Sequence, residues 1–156
     1  MIAIDIPGFG RLELRHLVSD YNGTLAVDGH LLPGVAELLT RLAADLDVHV
    51  ITADTFGLAR AQLANLPVRL VIAPLESQAE TKLRYVEELG AGTLAAIGNG
   101  RNDHSMVGAA ALGIALIQRE GGSTATVNGA HIVCTNVVDA LELLLHPKRL
   151  IATLRS

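Results

Sequence analysis

Four side chains in this sequence have the types and order needed for phosphoryl transfer. Asp20 follows an apolar stretch, Leu12–Val18, and sits in "SDYNGTLA"; Thr52 ends "DVHVIT"; Lys82 lies early in a periodic segment; Asp103 closes "GNGRND". A carboxylate at Asp20 could attack phosphorus and form an aspartyl-phosphate. Thr52 could donate to a phosphoryl oxygen, and Lys82 could offset the charge gathered there. Asp20 and Asp103 could hold Mg²⁺, which needs only one or two carboxylates beside phosphate oxygens and water. Gly23, Gly98 and Gly100 would let the backbone approach a ligand closely. Phosphoryl transfer asks chiefly for positioning and charge neutralisation, and this set supplies both. Taken singly, a threonine at a strand end is a turn residue and a helical lysine is solvated. Their order and placement together carry the reading.

The elements that must position these groups are written in the hydrophobic periodicity. Ile2, Ile4 and Ile6, the turn "PGFG", then Leu12 and Leu14 predict a hairpin whose second arm runs on into "HLVSD". Asp28-Gly29 predicts a tight turn. Val35, Leu38, Leu39, Leu42 and Leu46 share a helix face after Pro33. "DVHVIT", "VRLVIA", "TLAAIG", "LGIALI" and "HIVCT" read as strands. Helices are expected over residues 55–65 and 77–89, in "NDHSMVGAA", from an N-cap at Asn136 through Val137, Leu141 and Leu144, and after Pro147. Alternating strand and helix units predict an α/β fold: a Rossmann-like parallel sheet with helices on both faces, preceded by an N-terminal β-hairpin. Ligands of such sheets bind beyond the carboxyl ends of the strands, where Asp20, Thr52 and Asp103 fall.

Composition narrows the class. The chain has 156 residues, enough for a single domain over residues 1–156 with its own core. A net charge of −4 argues against a nucleic-acid surface. The longest apolar run, Val107–Ile117, is shorter than the roughly 20 residues a bilayer span needs. The N-terminus lacks a signal-peptide pattern. Cys134 stands alone in an apolar run, which excludes a disulfide within the chain and suits a reducing, cytoplasmic setting.

The order DxxGT, Thr at a strand end, Lys, then GxGxND resembles the haloacid dehalogenase (HAD) superfamily of aspartyl-phosphate enzymes, from about Leu14 to Thr135. "DYNGTLA" is similar to the "DKTGTLT" of P-type ATPases, "TAD" to their "TGD", and "GNGRND" to their "GDGxND". The chain most resembles the soluble, capless P-type-ATPase-like HAD phosphatases. The resemblance implies a HAD-like hydrolase with Asp20 as nucleophile and Mg²⁺ ligand, and with the Asn22 carbonyl as a further ligand. It implies a phosphate cradle of Asp20, Gly23, Thr52, Ala53 and Lys82. Asn99 and Asp103 would occupy the metal loop, supported by Asn102.

Two positions depart from that pattern. Many HAD phosphatases carry an acid/base Asp where this chain has Asn22, and an amide relays no proton near neutral pH. Losing a general acid/base slows a step by roughly 10²–10⁴-fold, so slow turnover is expected. Asn99 replaces a charged ligand, which predicts weaker Mg²⁺ binding. The gaps of 32 residues from Asp20 to Thr52 and 30 from Thr52 to Lys82 leave no room for a cap domain. Cover for the open site would come from a homo-oligomer, a macromolecular substrate or the loop Ala26–Leu32. The expected partner is a phosphorylated substrate of unspecified class, with neither nucleic acid nor membrane. An alternative is a catalytically weak regulatory or metal- and phosphate-binding module on the same scaffold. A phospho-accepting receiver domain ranks below both, because Asp5 has no acidic neighbour to complete its Mg²⁺ site. Arg101 and His104 read as solvated groups, and Asp54 as a helix cap.

Overall fold

The computed structural model describes residues 1–156. Strands β1 (Ile2–Ile6) and β2 (Gly10–Leu14) form an antiparallel hairpin closed by "PGFG". The second arm does not continue as one strand. At Arg15 the chain leaves the hairpin, and β3 (His16–Ser19) joins a different, parallel sheet. The hairpin is a separate two-stranded sheet whose Ile4, Ile6, Leu12 and Leu14 point into the core.

A short hairpin follows, β4 (Ala26–Val27) and β5 (His30–Leu31), turning at Asp28-Gly29 as expected. The rest alternates: α1 (Val35–Leu42), β6 (Asp47–Thr52), α2 (Leu58–Leu63), β7 (Arg69–Ile72), α3 (Gln78–Leu89), β8 (Leu94–Gly98), α4 (His104–Ala109), β9 (Leu112–Leu116), α5 (Thr124–Gly129), β10 (Ile132–Cys134), α6 (Val137–Leu145) and α7 (Pro147–Leu154). A 3₁₀ turn over Arg101–Asp103 precedes α4. Asn136 caps α6, its side chain accepting from the Asp139 amide, and Pro147 opens α7. Helix α5 has no counterpart in the periodicity; its stretch "TATVNG" carries one large apolar residue, Val127.

The central sheet has six parallel strands in the order β10-β9-β8-β3-β6-β7. Parallel neighbours require crossovers, and the helices supply them on both faces. One face packs α1, α2, α6, α7 and the N-terminal hairpin against Leu17, Val48, Val50, Ala95, Ile97, Leu112 and Ile114. The other packs α3 and α4 against Val18, Ile51, Leu94 and Ala96. Alternate residues of each strand therefore serve opposite cores. No element outside these layers forms a separate cap.

The topology fixes where a ligand can sit. From β3 the chain winds outward through β6 to β7, then crosses back through α3 to β8 on the other side of β3. The direction reverses at β3, so the loops after β3, β6 and β8 part around its carboxyl end. Such a switch point is the binding crevice of open parallel sheets.

The opposite end of the sheet carries a polar chain of its own. His16 Nδ1 lies 3.2 Å from His49 Nε2, and His49 Nδ1 lies 2.7 Å from the Tyr85 hydroxyl. Burial first, then His16 and Arg69, lowers the His49 pKa from 6.5 to about 4, against a smaller opposing pull from Asp47. A histidine held neutral when folded binds its proton more readily when unfolded. Its destabilising effect is absent above about pH 6.5, grows as pH falls towards about 4, and then levels off. The thermal midpoint should therefore decline across that window. His49→Phe should flatten the decline, as read by thermal unfolding at stepped pH.

Candidate active site

The site is built where β3 runs out. The Asp20 amide donates to the Ile97 carbonyl of β8 (3.0 Å), extending the strand pairing to the nucleophile candidate. The chain then folds back on itself: the Tyr21 carbonyl accepts from the amides of Thr24, Leu25 and Ala26 at 2.8–3.1 Å. Gly23 makes this turn with φ 78°. A Cβ there would meet the Asn99 side-chain nitrogen at 2.5 Å, so the loop needs glycine for both conformation and space. Tyr21 is buried, and its hydroxyl donates to the Gly29 carbonyl (2.8 Å), tying the acceptor loop to the β4–β5 hairpin.

Lys82 is the centre of the arrangement. It lies in the second turn of α3, and its ammonium donates to Asp20 Oδ1 (3.0 Å), Asp103 Oδ1 (2.8 Å) and Asn102 Oδ1 (3.3 Å). Its side chain is 2% exposed, Asp103's 0% and Asp20's 11%. The second oxygen of Asp103 accepts from the amides of Asn99 (3.1 Å) and Gly100 (3.0 Å), shaping the glycine-rich loop. A Cβ at Gly98 would stand 2.5 Å from Asp103 Cβ, which explains the first glycine of "GNGRND". Thr24 joins the two loops, its hydroxyl lying 3.3 Å from Asp20 Oδ2 and 3.2 Å from Asn99 Oδ1.

Two carboxylates share one ammonium here, and the electrostatics follow. Burial, then the Asp103 charge, pushes the Asp20 carboxyl up from 3.8 to about 7, with Lys82 pulling the other way. For Lys82, burial disfavours the ammonium, but Asp20 and Asp103 outweigh it and raise its pKa. Lys82 therefore stays charged, and Asp20 is the group whose ionisation is contested.

The remaining candidates take distinct places. Thr52 is buried at the end of β6, the strand beside β3, and its hydroxyl oxygen accepts from the Asp54 amide (3.4 Å). Ala53 follows, half-buried. Asn22 is exposed, lining a cleft of about 450 Å³ with Tyr21, Asp28 and Phe56. Asp54 accepts from the Ala59 (2.7 Å) and Arg60 (3.1 Å) amides, so it caps α2. Arg101 and His104 are exposed.

Sequence reasoning missed three contributors. Thr24, the last residue of DxxGT, bridges the two loops. Helix α5 latches onto the glycine-rich loop, with the Thr126 hydroxyl donating to the Gly100 carbonyl (2.7 Å) and the Ser123 amide to the Asn99 carbonyl (2.7 Å). Gln118 reaches the acceptor loop from the end of β9. The threonine of DxxGT was a visible signal; the other two have no local one.

The donor set suits a hard cation. Asp20 and the Asn99 amide oxygen, both within reach of the Thr24 hydroxyl, are oxygen donors of the kind a hard cation takes, and no group of three or more His, Cys, Asp or Glu side chains gathers here. Both Asp103 oxygens are already engaged, with Lys82 and with backbone amides. That leaves Asp20 as the one ionisable donor of the set.

No family model matches the chain. Among solved structures, the cobalt-bound deoxy-D-mannose-octulosonate 8-phosphate phosphatase of Haemophilus influenzae superposes with TM-score 0.71, 15% identity, and 88% and 90% of the two chains covered. The 3-deoxy-D-manno-octulosonate 8-phosphate phosphatase of Moraxella catarrhalis, solved with magnesium, phosphate and KDO, gives TM-score 0.67 and 19% identity over 90% and 92%. A zinc-transporting PIB-type ATPase matches 78% of this chain with 25% identity and TM-score 0.63; the chain spans 20% of that pump. The chain thus shares the fold of HAD-family phosphatases. An uncharacterized protein of Methanocaldococcus jannaschii is 41% identical over 83 residues, which is 51% of this chain and 89% of that protein, so the two chains belong to one family.

Proposed function

We propose that the protein is a Mg²⁺-dependent phosphohydrolase or phosphotransferase acting through an aspartyl-phosphate on Asp20. The observation that carries this reading is the buried Lys82 ammonium, within 3.0 Å of Asp20 and 2.8 Å of Asp103 at the switch point of the sheet. An Asp20 oxygen attacks phosphorus as the bond to the leaving group breaks; the leaving oxygen keeps the electron pair and takes a proton from water. Water then attacks the phosphorus, the bond to Asp20 breaks, and the products are inorganic phosphate and the free carboxylate. Lys82 neutralises the acceptor and the incoming phosphoryl group, Thr52 donates to a phosphoryl oxygen, and Gly23 and Ala53 contribute the backbone of the cradle. A bound Mg²⁺ would offset phosphoryl charge; Asp20, the Asn22 carbonyl and Asn99 would hold it, with Asp103 behind them. Asn22 relays no proton near neutral pH, so the phosphorylated state persists.

The substrate is a phosphorylated molecule that enters an uncapped mouth, or a second copy of the chain completes the cover; the setting is cytoplasmic. The test is incubation with Mg²⁺ and acetyl phosphate or p-nitrophenyl phosphate. Wild type should yield an acyl-phosphate on Asp20 and slow hydrolysis, and Asp20→Asn should abolish both. No label and no turnover over a broad phosphate panel would overturn the reading. A second reading, a regulatory module binding metal or phosphate, draws on Asn99. Its amide nitrogen donates to the Gly121 carbonyl (3.1 Å), a structural bond that a carboxylate could not make.

A further inference from the structure

We propose that Gln118 is the positioning residue of the phosphoryl-acceptor loop, an inference that rests on the reading of Asp20 as nucleophile. Gln118 follows β9 by two residues and is half-buried. Its amide nitrogen donates to two successive carbonyls of the acceptor loop, Gly23 (3.2 Å) and Thr24 (3.0 Å). Its amide oxygen accepts from the amide of Val137, the first residue of α6 (2.7 Å). One side chain thus ties the end of β9 to two other elements, the acceptor loop 94 and 95 residues earlier and α6 19 residues later.

The chemistry of that joint admits only an amide. Two carbonyl oxygens need two N–H donors on one atom, and a helix-terminal N–H needs an acceptor. A glutamate would satisfy Val137 but set a charge against two carbonyls. A methionine would fill the space and satisfy none.

What Gln118 holds in place bears on the nucleophile. With its backbone clamped from outside, Thr24 keeps its hydroxyl between Asp20 Oδ2 and Asn99 Oδ1. Lys82 fixes the other Asp20 oxygen. The carboxylate is thereby held at both oxygens before a phosphoryl group arrives, and an error of about 1 Å in such a placement costs about 10²-fold in rate. Gln118, Gly23 and Val137 also share the wall of a cavity of about 630 Å³.

The two substitutions separate loop positioning from helix capping. Gln118→Glu keeps the bond from Val137 and loses both donors to the loop; Gln118→Met loses all three. Both should lower kcat for p-nitrophenyl phosphate by about 10²-fold while KM stays within about threefold, with wild-type circular dichroism at the assay temperature. Both should speed amide exchange at Thr24 and Leu25, whose N–H groups bond the Tyr21 carbonyl. If Gln118→Glu matches wild type in kcat and exchange and only Gln118→Met is impaired, Gln118 is a helix cap and the proposal fails. If wild type neither turns over nor labels Asp20, the phosphoryl-transfer reading fails. Exchange at Thr24 and Leu25 then decides the clamp independently, and unchanged exchange in both variants overturns it.

Discussion

Replacing Asn22 with Asp is expected to accelerate breakdown of phosphorylated Asp20 by about 10²–10⁴-fold, the usual contribution of one well-placed general acid/base. The position is suited to the change. Asn22 lies two residues beyond Asp20, is exposed, and lines the cleft of about 450 Å³ beside Tyr21 and Asp54. The new carboxylate enters solvent rather than the buried ion cluster, so the fold should tolerate it. The loop is held through backbone bonds to Tyr21 and by Tyr21 and Gln118 side chains, none of which uses the Asn22 side chain. Asn22→Asp would give the second step a base for the attacking water and the first step an acid for the leaving oxygen. The measurements are decay of the isolated acyl-phosphate and steady-state release of phosphate. A large gain identifies a competent site slowed at one position. No gain, in a variant that still binds Mg²⁺ by calorimetry, favours the regulatory reading.

Removing Lys82 should have the second large effect. In Lys82→Met the ammonium between Asp20 and Asp103 is gone, and two buried carboxyl groups are left facing each other. Breaking a buried ion pair from one side costs about 3–5 kcal/mol, because the orphaned charge remains. Activity should vanish, but stability is the more informative readout. Without Lys82, the Asp20 carboxyl is driven further above its ordinary 3.8, since Lys82 is what restrains it. A carboxyl whose folded pKa is raised destabilises the fold increasingly as pH climbs past its unfolded value. Chemical denaturation in EDTA should therefore show Lys82→Met weakest near neutrality and recovering towards pH 4–5 relative to wild type. Adding Asp20→Asn to Lys82→Met should restore part of the loss. A single variant as stable as wild type at pH 8 would mean that the cluster is not buried as described.

Much of the fold was legible because it rests on local rules. Alternating apolar residues, a glycine or proline at each end, and the 3.6-residue spacing of Val35, Leu38, Leu39 and Leu42 are short-range signals. They placed β3, β6 and β8 and hence Asp20, Thr52 and Asp103 at strand ends. Asn136 and Pro147 marked a helix start and a helix break for reasons confined to one turn of chain. Helix α5 escaped because a six-residue segment with one large apolar side chain has no periodicity to detect. Arg15 escaped too, since nothing local says whether an apolar run keeps its strand partner or exchanges it.

The sequence alone determined which chemistry this protein can carry: an acid, a hydroxyl, an ammonium and a glycine-rich acidic loop, in that order, with amides at Asn22 and Asn99. Tertiary structure decided how those groups meet. Lys82 lies 62 residues from Asp20 and 21 from Asp103, and only the reversal of strand order at β3 brings all three together. The same reversal brings Gln118 and α5 onto loops formed far earlier in the chain. Side-chain hydrogen bonds across such separations leave no periodic trace, because they depend on which strands become neighbours, and that is settled by the packing of the whole sheet.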